Sequence, residues 1–265
     1  MAYCKKTYRC GDSNEYEITY AGNYGAKGEK RAPKKKATPE QIEKQNKWNK
    51  RKYIRRLIKI NFDIDDYWTT LRYPAGTKKE LKEVEKDLRC FIRKMKYRYS
   101  KKGQQLKYIY RIEIGAKGGI HTHIILNRIP SGETDRLISE CWTEGHAHNI
   151  LLYAKGEYKA LADYMAKEPK TEEGYKQLSL LDETDQKKLT AFSSSRNLIR
   201  PLPEKKNYSH WTMRKMLRDG PKATPGYYID KDSIVTGINP FTGMSYLHYT
   251  EIKLGSIWEQ WNKSG

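Results

Sequence analysis

The chain is 265 residues long, with 52 lysines and arginines against 32 aspartates and glutamates, a formal net charge of +20 and 37% hydrophobic residues. That composition fills one sizeable core or two small ones and excludes a large apolar interior. No run of about 18 apolar residues is present, so no membrane span is expected, and the opening MAYCKKTYRC has no apolar signal core.

A positive excess this large points to a polyanionic partner, and 21 tyrosines with 6 tryptophans supply stacking surfaces suited to single-stranded nucleic acid. Cys4, Cys10, Cys90 and Cys141 form no C-x-x-C pair, which argues against a zinc module and for a reducing, cytoplasmic location.

In chain order, residues 16–20 read as a short strand. Residues 27–36, KGEKRAPKKK, carry six basic residues against one acid and read as a flexible basic arm. Thr38 with Gln41 forms a capping box, with Pro39 at the first helical position, and opens a helix over residues 39–56. From Lys44 to Lys59 there are eight basic residues and no acid. A solvated helix face is the plain explanation, but this density of charge favours phosphate contact, and it nominates Lys34, Lys35, Lys36, Lys44, Lys47, Lys50, Arg51, Arg55 and Arg56 as DNA-binding residues. Residues 62–73 read as a strand with its approach loop, stopped by Pro74-Ala75-Gly76. Thr77 with Glu80 makes a second capping box, and Leu81, Val84, Leu88, Phe91 or Ile92, and Met95 recur at helical spacing to about residue 97, the apolar stripe of a helix covering one sheet face.

The stretch 108–127, YIYRIEIGAKGGIHTHIILN, reads as a β-hairpin joined by a glycine-rich loop. His121 and His123 stand two residues apart, so a pleated strand turns both imidazoles to one face, and Glu113 on the partner strand is within cross-strand reach. Two nitrogens and one oxygen suit Mg2+, Mn2+ or another divalent ion. A short helix over residues 135–142 ends at Gly145, and a strand follows over residues 146–153. That strand holds a second H-x-H, His146 and His148, which ranks below the first because it begins at a turn and has no acid placed as Glu113 is. Residues 157–169 read as a helix that packs Tyr158, Leu161, Ala162 and Met165 and presents Tyr164 on its other side with Lys167. A tyrosine held on a rigid helix, one turn from a lysine that favours phenolate or steadies a phosphate, has what a nucleophile needs. A surface tyrosine is the plainer alternative.

His121-Thr122-His123 followed by Tyr164-Met165-Ala166-Lys167 resembles the HUH endonuclease superfamily, specifically the single-tyrosine rolling-circle replication initiators of bacterial plasmids, integrative elements and phages. Tyr67 to Tyr73 stands in the place of that family's first strand motif, and Thr122 in the place of a residue usually bulky and hydrophobic. The resemblance spans roughly residues 60–168. It implies an α+β fold with helices packed on one face of an antiparallel sheet, of HUH, ferredoxin-like or RRM-like type, with a small C-terminal extension. It implies further that His121, His123 and Glu113 hold a divalent metal, Mg2+ or Mn2+, and that Tyr164, assisted by Lys167, nicks single-stranded or hairpin origin DNA. The products are a 5′-phosphotyrosine and a 3′-hydroxyl that primes synthesis. No glycine-rich lysine loop for ATP is present, so strand separation falls to a host helicase working with a DNA polymerase. Relaxase and single-strand transposase activities share this chemistry, and a non-enzymatic basic DNA- or RNA-binding protein is the alternative from another class.

Beyond residue 169 the texture changes. Residues 193–203 read as an extended linker, residues 210–217 as a short helix, residues 227–229 and 233–238 as two short strands, and residues 246–254 as a last strand. The expected division is a basic arm and helix over residues 1–59, an endonuclease core over 60–170, a linker over 171–205 and an accessory region over 206–265 for origin recognition.

Overall fold

The computed structural model describes residues 2–22, 32–77, 79–115, 119–152, 158–166, 183–208 and 213–256. In chain order these form β1 (Tyr3–Cys10), β2 (Ser13–Tyr20), α1 (Pro39–Asn61), β3 (Tyr67–Arg72), α2 (Leu81–Lys101), β4 (Tyr108–Ile114), β5 (Ile120–Leu126), α3 (Thr134–Cys141), β6 (His146–Leu151), α4 (Lys159–Ala166), α5 (Glu183–Thr190), β7 (Ser193–Ser194), β8 (Glu204–Tyr208), α6 (Arg214–Asp219), β9 (Tyr227–Asn239) and β10 (Met244–Lys253). The fold is α+β: two antiparallel five-stranded sheets, ordered β8-β1-β2-β10-β9 and β6-β3-β5-β4-β7, with helices against them. No helix among the described residues is long and apolar enough to cross a membrane. Residues 27–31 of the expected basic arm and residues 210–212 of the expected short helix lie outside the described residues.

The chain divides into two compact units, residues 1–60 with 154–157 and 200–265, and residues 61–153 with 158–199. The basic helix and the C-terminal strands thus fall in the same unit. β2 lies between β1 and β10, in register from Ile18↔Leu247 to Ser13↔Ile252. The stretch expected as a linker also supplies strands: β7 pairs with β4, and β8 pairs with β1. The two short strands expected after residue 226 are one strand, β9. Strands this distant in sequence show no local sign of which partner they will take.

In the first unit the Thr38–Gln41 capping box forms as expected: the Thr38 N–H donates to Gln41 Oε1 at 3.1 Å and the Gln41 N–H to Thr38 Oγ1 at 3.3 Å. The helix it opens is held by charge. Glu15 and Glu17 of β2 are buried, and they take Lys52 at 2.6 Å, Arg55 at 2.9 Å, Arg56 at 2.7 Å to each carboxylate, and Lys59 at 3.2 Å. Arg55 and Arg56, expected at DNA, are here paired with β2 carboxylates, and Arg56 is 5% exposed. Lys47 pairs with Glu43 on its own helix at 2.6 Å. Lys34, Lys35, Lys36, Lys44 and Arg51 are exposed and Lys50 is half-exposed. The other face of the sheet carries an apolar cluster of Tyr3, Tyr16, Ile18, Leu247 and Tyr249 with Met213.

Removing one partner from a buried ion-pair network strands the others, so Glu15→Gln is expected to destabilise this unit by about 3–5 kcal/mol. Burial alone would raise both carboxyls, but the cations outweigh it. Lys59, Arg55 and Arg56 hold Glu15 well below the usual carboxylate range, and Arg56 and Lys52 bring Glu17 to about 2. Depressed folded values stabilise above the unfolded carboxylate pKa of about 4.3 and lose that stability as pH falls toward the folded values. Thermal unfolding followed from about pH 5 down to about pH 2 should show the parent losing stability steeply and Glu15→Gln, already lower, losing less. Parallel curves would mean that the network does not set the acid sensitivity.

In the second unit α2 lays Leu81, Val84, Leu88, Phe91, Ile92, Met95 and Tyr99 against Leu71, Ile112, Ile124 and Leu126 of the sheet, joined by Leu137, Ile138, Cys141 and Trp142. Each such side chain contributes about 1.5–3 kcal/mol by leaving water. The helix starts one turn later than the Thr77–Glu80 box implied: the Glu80 N–H donates to Glu83 Oε2 at 3.0 Å, while Thr77 closes a turn onto Pro74. Thr122 is 2% exposed and faces this core between Leu71 and Ile112, so a small polar side chain stands there between larger neighbours.

Candidate metal centre and tyrosine

The period of two along a strand sends alternate residues to opposite faces. With Thr122, Ile124 and Leu126 buried against α2, His121 and His123 must emerge on the opposite face. The register then brings in their neighbours: Glu113 lies opposite His121, Arg111 opposite His123, Arg72 opposite His121 and Thr70 opposite His123. Glu113, His121 and His123 each offer one ligand atom, all within 4.8 Å of one another, and they are the group suited to a metal among the described residues. Glu113 Oε2 is 3.4 Å from His123 Nε2 and 3.9 Å from His121 Nε2.

α4 completes the site from above this face. The Tyr164 hydroxyl donates to Glu113 Oε2 at 2.8 Å and lies 2.9 Å from His123 Nε2. Arg111, 3% exposed, donates through Nη1 to the Tyr164 carbonyl at 3.0 Å and so fixes the last turn of the helix. Trp68 stacks on the His123 ring, 5.0 Å between centroids and 10° between planes, and meets the Tyr164 ring edge-on at 5.6 Å. Ala162 and Met165 are buried as the helical spacing required, Leu161 is half-buried, and Ala166 is buried as well. Tyr158 is buried too, and it precedes the helix with φ of 60°. Lys167 lies outside the described residues.

The electrostatics suit cation binding. Burial, and then the neighbouring His123, hold His121 below its ordinary value against the pull of Glu113, which keeps the imidazole neutral and able to ligate. Burial alone would raise Glu113, but hydrogen bonds from His123 and Tyr164 with the charge of Arg111 bring it to about 2 and keep it an anion. Burial first, then the hydrogen bond to Glu113 and its charge, push the Tyr164 phenol well above the usual tyrosine range, against Arg111 and Arg72. Further positive charge at this position would favour the phenolate.

Sequence reasoning missed Thr70 and Trp68, which hold His123, and Arg111, which holds the end of the Tyr164 helix. Alternation along YWTTLRY places Trp68, Thr70 and Arg72 on one face, but only the register shows which histidine each one meets. Thr70 Oγ1 is 3.1 Å from His123 Nδ1. When Nε2 serves as a ligand the ring proton sits on Nδ1 and donates to Thr70. Partners of this kind are worth about 10–100-fold in metal affinity or activity. Thr70→Val keeps the shape and removes the oxygen, so Mn2+ titration should show a weakening within that range; unchanged affinity would show that stacking on Trp68 alone orients the ring.

Residues 66–169 match the model of a family described as Replication-associated protein ORF2. No match was found among curated proteins or among solved structures.

Proposed function

We propose that this protein nicks and rejoins single-stranded DNA through a 5′-phosphotyrosine on Tyr164, with a divalent ion held by Glu113, His121 and His123, to initiate rolling-circle replication. One observation carries the reading: the Tyr164 oxygen sits within hydrogen-bond distance of two of the three groups suited to a metal. The match of residues 66–169 to a replication-associated family supports a role in replication initiation.

The three ligand groups, an anionic carboxylate and two imidazoles on one rigid sheet face, fit Mg2+ or Mn2+, which when bound would polarise the scissile phosphate and stabilise charge on its oxygens. Tyr164 Oη attacks phosphorus, the bond to the 3′-oxygen breaks, and the phenolic proton lost is matched by the proton the 3′-hydroxyl gains. Arg111 and Trp68 keep the tyrosine aimed while Thr70 keeps His123 aimed, so little reorganisation remains for the step itself. Because the phosphotyrosine conserves the broken linkage, attack by a 3′-hydroxyl restores the strand without a nucleotide. The exposed Lys34, Lys35, Lys36, Lys44 and Arg51, with half-exposed Lys50, would add phosphate contacts that strengthen binding without reading sequence. Lys167, three residues after Tyr164 in the sequence, remains part of this proposal as a phosphate contact.

The test is to incubate protein and Mg2+ or Mn2+ with labelled single-stranded oligonucleotides from the surrounding genetic element. A label migrating with the protein on a denaturing gel supports the reading. DNA bound but never cleaved, across oligonucleotides tiling the element, favours a purely binding protein.

A further inference from the structure

The second histidine pair has no place in the metal centre, yet the sheet puts it beside that centre. β6 is the edge strand, paired with β3 in the register Arg72↔His146, Thr70↔His148 and Trp68↔Ile150. Residues directly opposite across an antiparallel pair share a face. Two rows therefore cross the sheet: His146, Arg72, His121 and Glu113 in one, and His148, Thr70, His123 and Arg111 in the other. His146, His148, Ile150 and Arg72 are exposed, whereas the residues of β5 and β4 in those rows are buried or half-buried. Arg72 bridges the two halves: its charge reaches both His121 and Tyr164.

The start of β6 is built to lie close. A Cβ at Gly145 would meet the Arg72 carbonyl oxygen at 2.2 Å, so only glycine fits there, and Trp142 Nε1 donates to the same oxygen at 3.2 Å. No carboxylate stands in the β6 half of either row, which leaves these imidazoles without the anion a hard divalent ion needs. Imidazole and guanidinium donors beside an apolar Ile150 suit a sugar–phosphate backbone and the base it carries.

We infer that Arg72, His146 and His148 form a phosphate-contacting track on which the single strand leaves the metal centre across the edge of the sheet. The inference rests on the proposed function for its ligand. Two strand spacings separate β6 from β5, about 10 Å, or about three stacked nucleotides at about 3.4 Å each. The track thus holds the nucleotides flanking the cleaved linkage and keeps that linkage over Tyr164.

Labelled oligothymidylates of about 4 to 16 nucleotides, titrated into the full chain, test this. For the parent, affinity should rise with length. Arg72→Ala should flatten the slope of log affinity against log salt by about 0.7, the value for one phosphate contact on a single strand, and Arg72→Lys should restore it. His146→Ala with His148→Ala should lower affinity several-fold for the longer oligonucleotides and little for the shortest. Arg89→Ala removes the same charge from the exposed side of α2 and should leave the slope as it was. Parental slope and length dependence in both track variants, or a parent that binds no single strand, would overturn the track. Covalent product by the parent, read on the same samples, reports separately on the chemistry: track variants that lose affinity where the parent forms no adduct sink the nicking reaction and keep the track.

Discussion

Tyr164→Phe is expected to fold, bind single-stranded DNA and form no covalent protein–DNA product at all. The substitution removes one oxygen, the atom 2.8 Å from Glu113 and 2.9 Å from His123, and leaves the ring that meets Trp68 edge-on. Arg111 binds the carbonyl of residue 164, not its side chain, so the helix end stays anchored. Tyr158→Phe is the comparison. Tyr158 is 3% exposed, stands before the first residue of α4 and feels the charges of Asp66 and Asp63 rather than that of Glu113, so nicking should stay near the parental level. Digestion of the adduct and mass spectrometry locate the nucleotide. A nucleotide on Tyr158, or an adduct that persists in Tyr164→Phe, would sink the assignment.

Replacing His121 and His123 together with alanine is expected to abolish cleavage and Mn2+ binding while leaving most DNA affinity in place, because under the proposed function the exposed basic residues would bind phosphate independently of the ligands. Glu113 would remain as a lone carboxylate with Arg111 as a charge neighbour, too little to hold a divalent ion. Calorimetric titration of Mn2+ reads the metal directly, and a denaturing gel reads the nick. The double alanine variant of His146 and His148 should retain Mn2+ binding. Loss of the metal there, with retention in the His121 and His123 variant, would mean that the wrong pair of histidines was chosen.

The site was legible to the extent that it depends on spacing. H-x-H in a strand, an acid on the partner strand and a tyrosine on the unburied side of a short helix follow from periods of two and of 3.6, which a sequence displays openly. The same holds for the apolar stripe of α2 and the capping box of α1, where every interacting residue lies within a turn or two of its partner. The sequence by itself thus determined the α+β class, that the two imidazoles share a face and which side of α4 carries Tyr164.

Only the tertiary structure decided which distant groups meet. Lys52, Arg55, Arg56 and Lys59 read as an acid-free stretch because their carboxylates, Glu15 and Glu17, come from β2 some forty positions earlier. An excess of charge along one helix looks the same whether water, phosphate or a buried acid answers it, and the answer depends on which strand the helix covers. The joining of the two chain ends in one sheet has the same origin, since backbone hydrogen bonds between strands are indifferent to side-chain identity and register is set by the faces that must be buried. That rule also carried the second histidine pair to the same face as the first: the pairing of β3 with both β5 and β6 aligned the two, and no spacing within either motif records it.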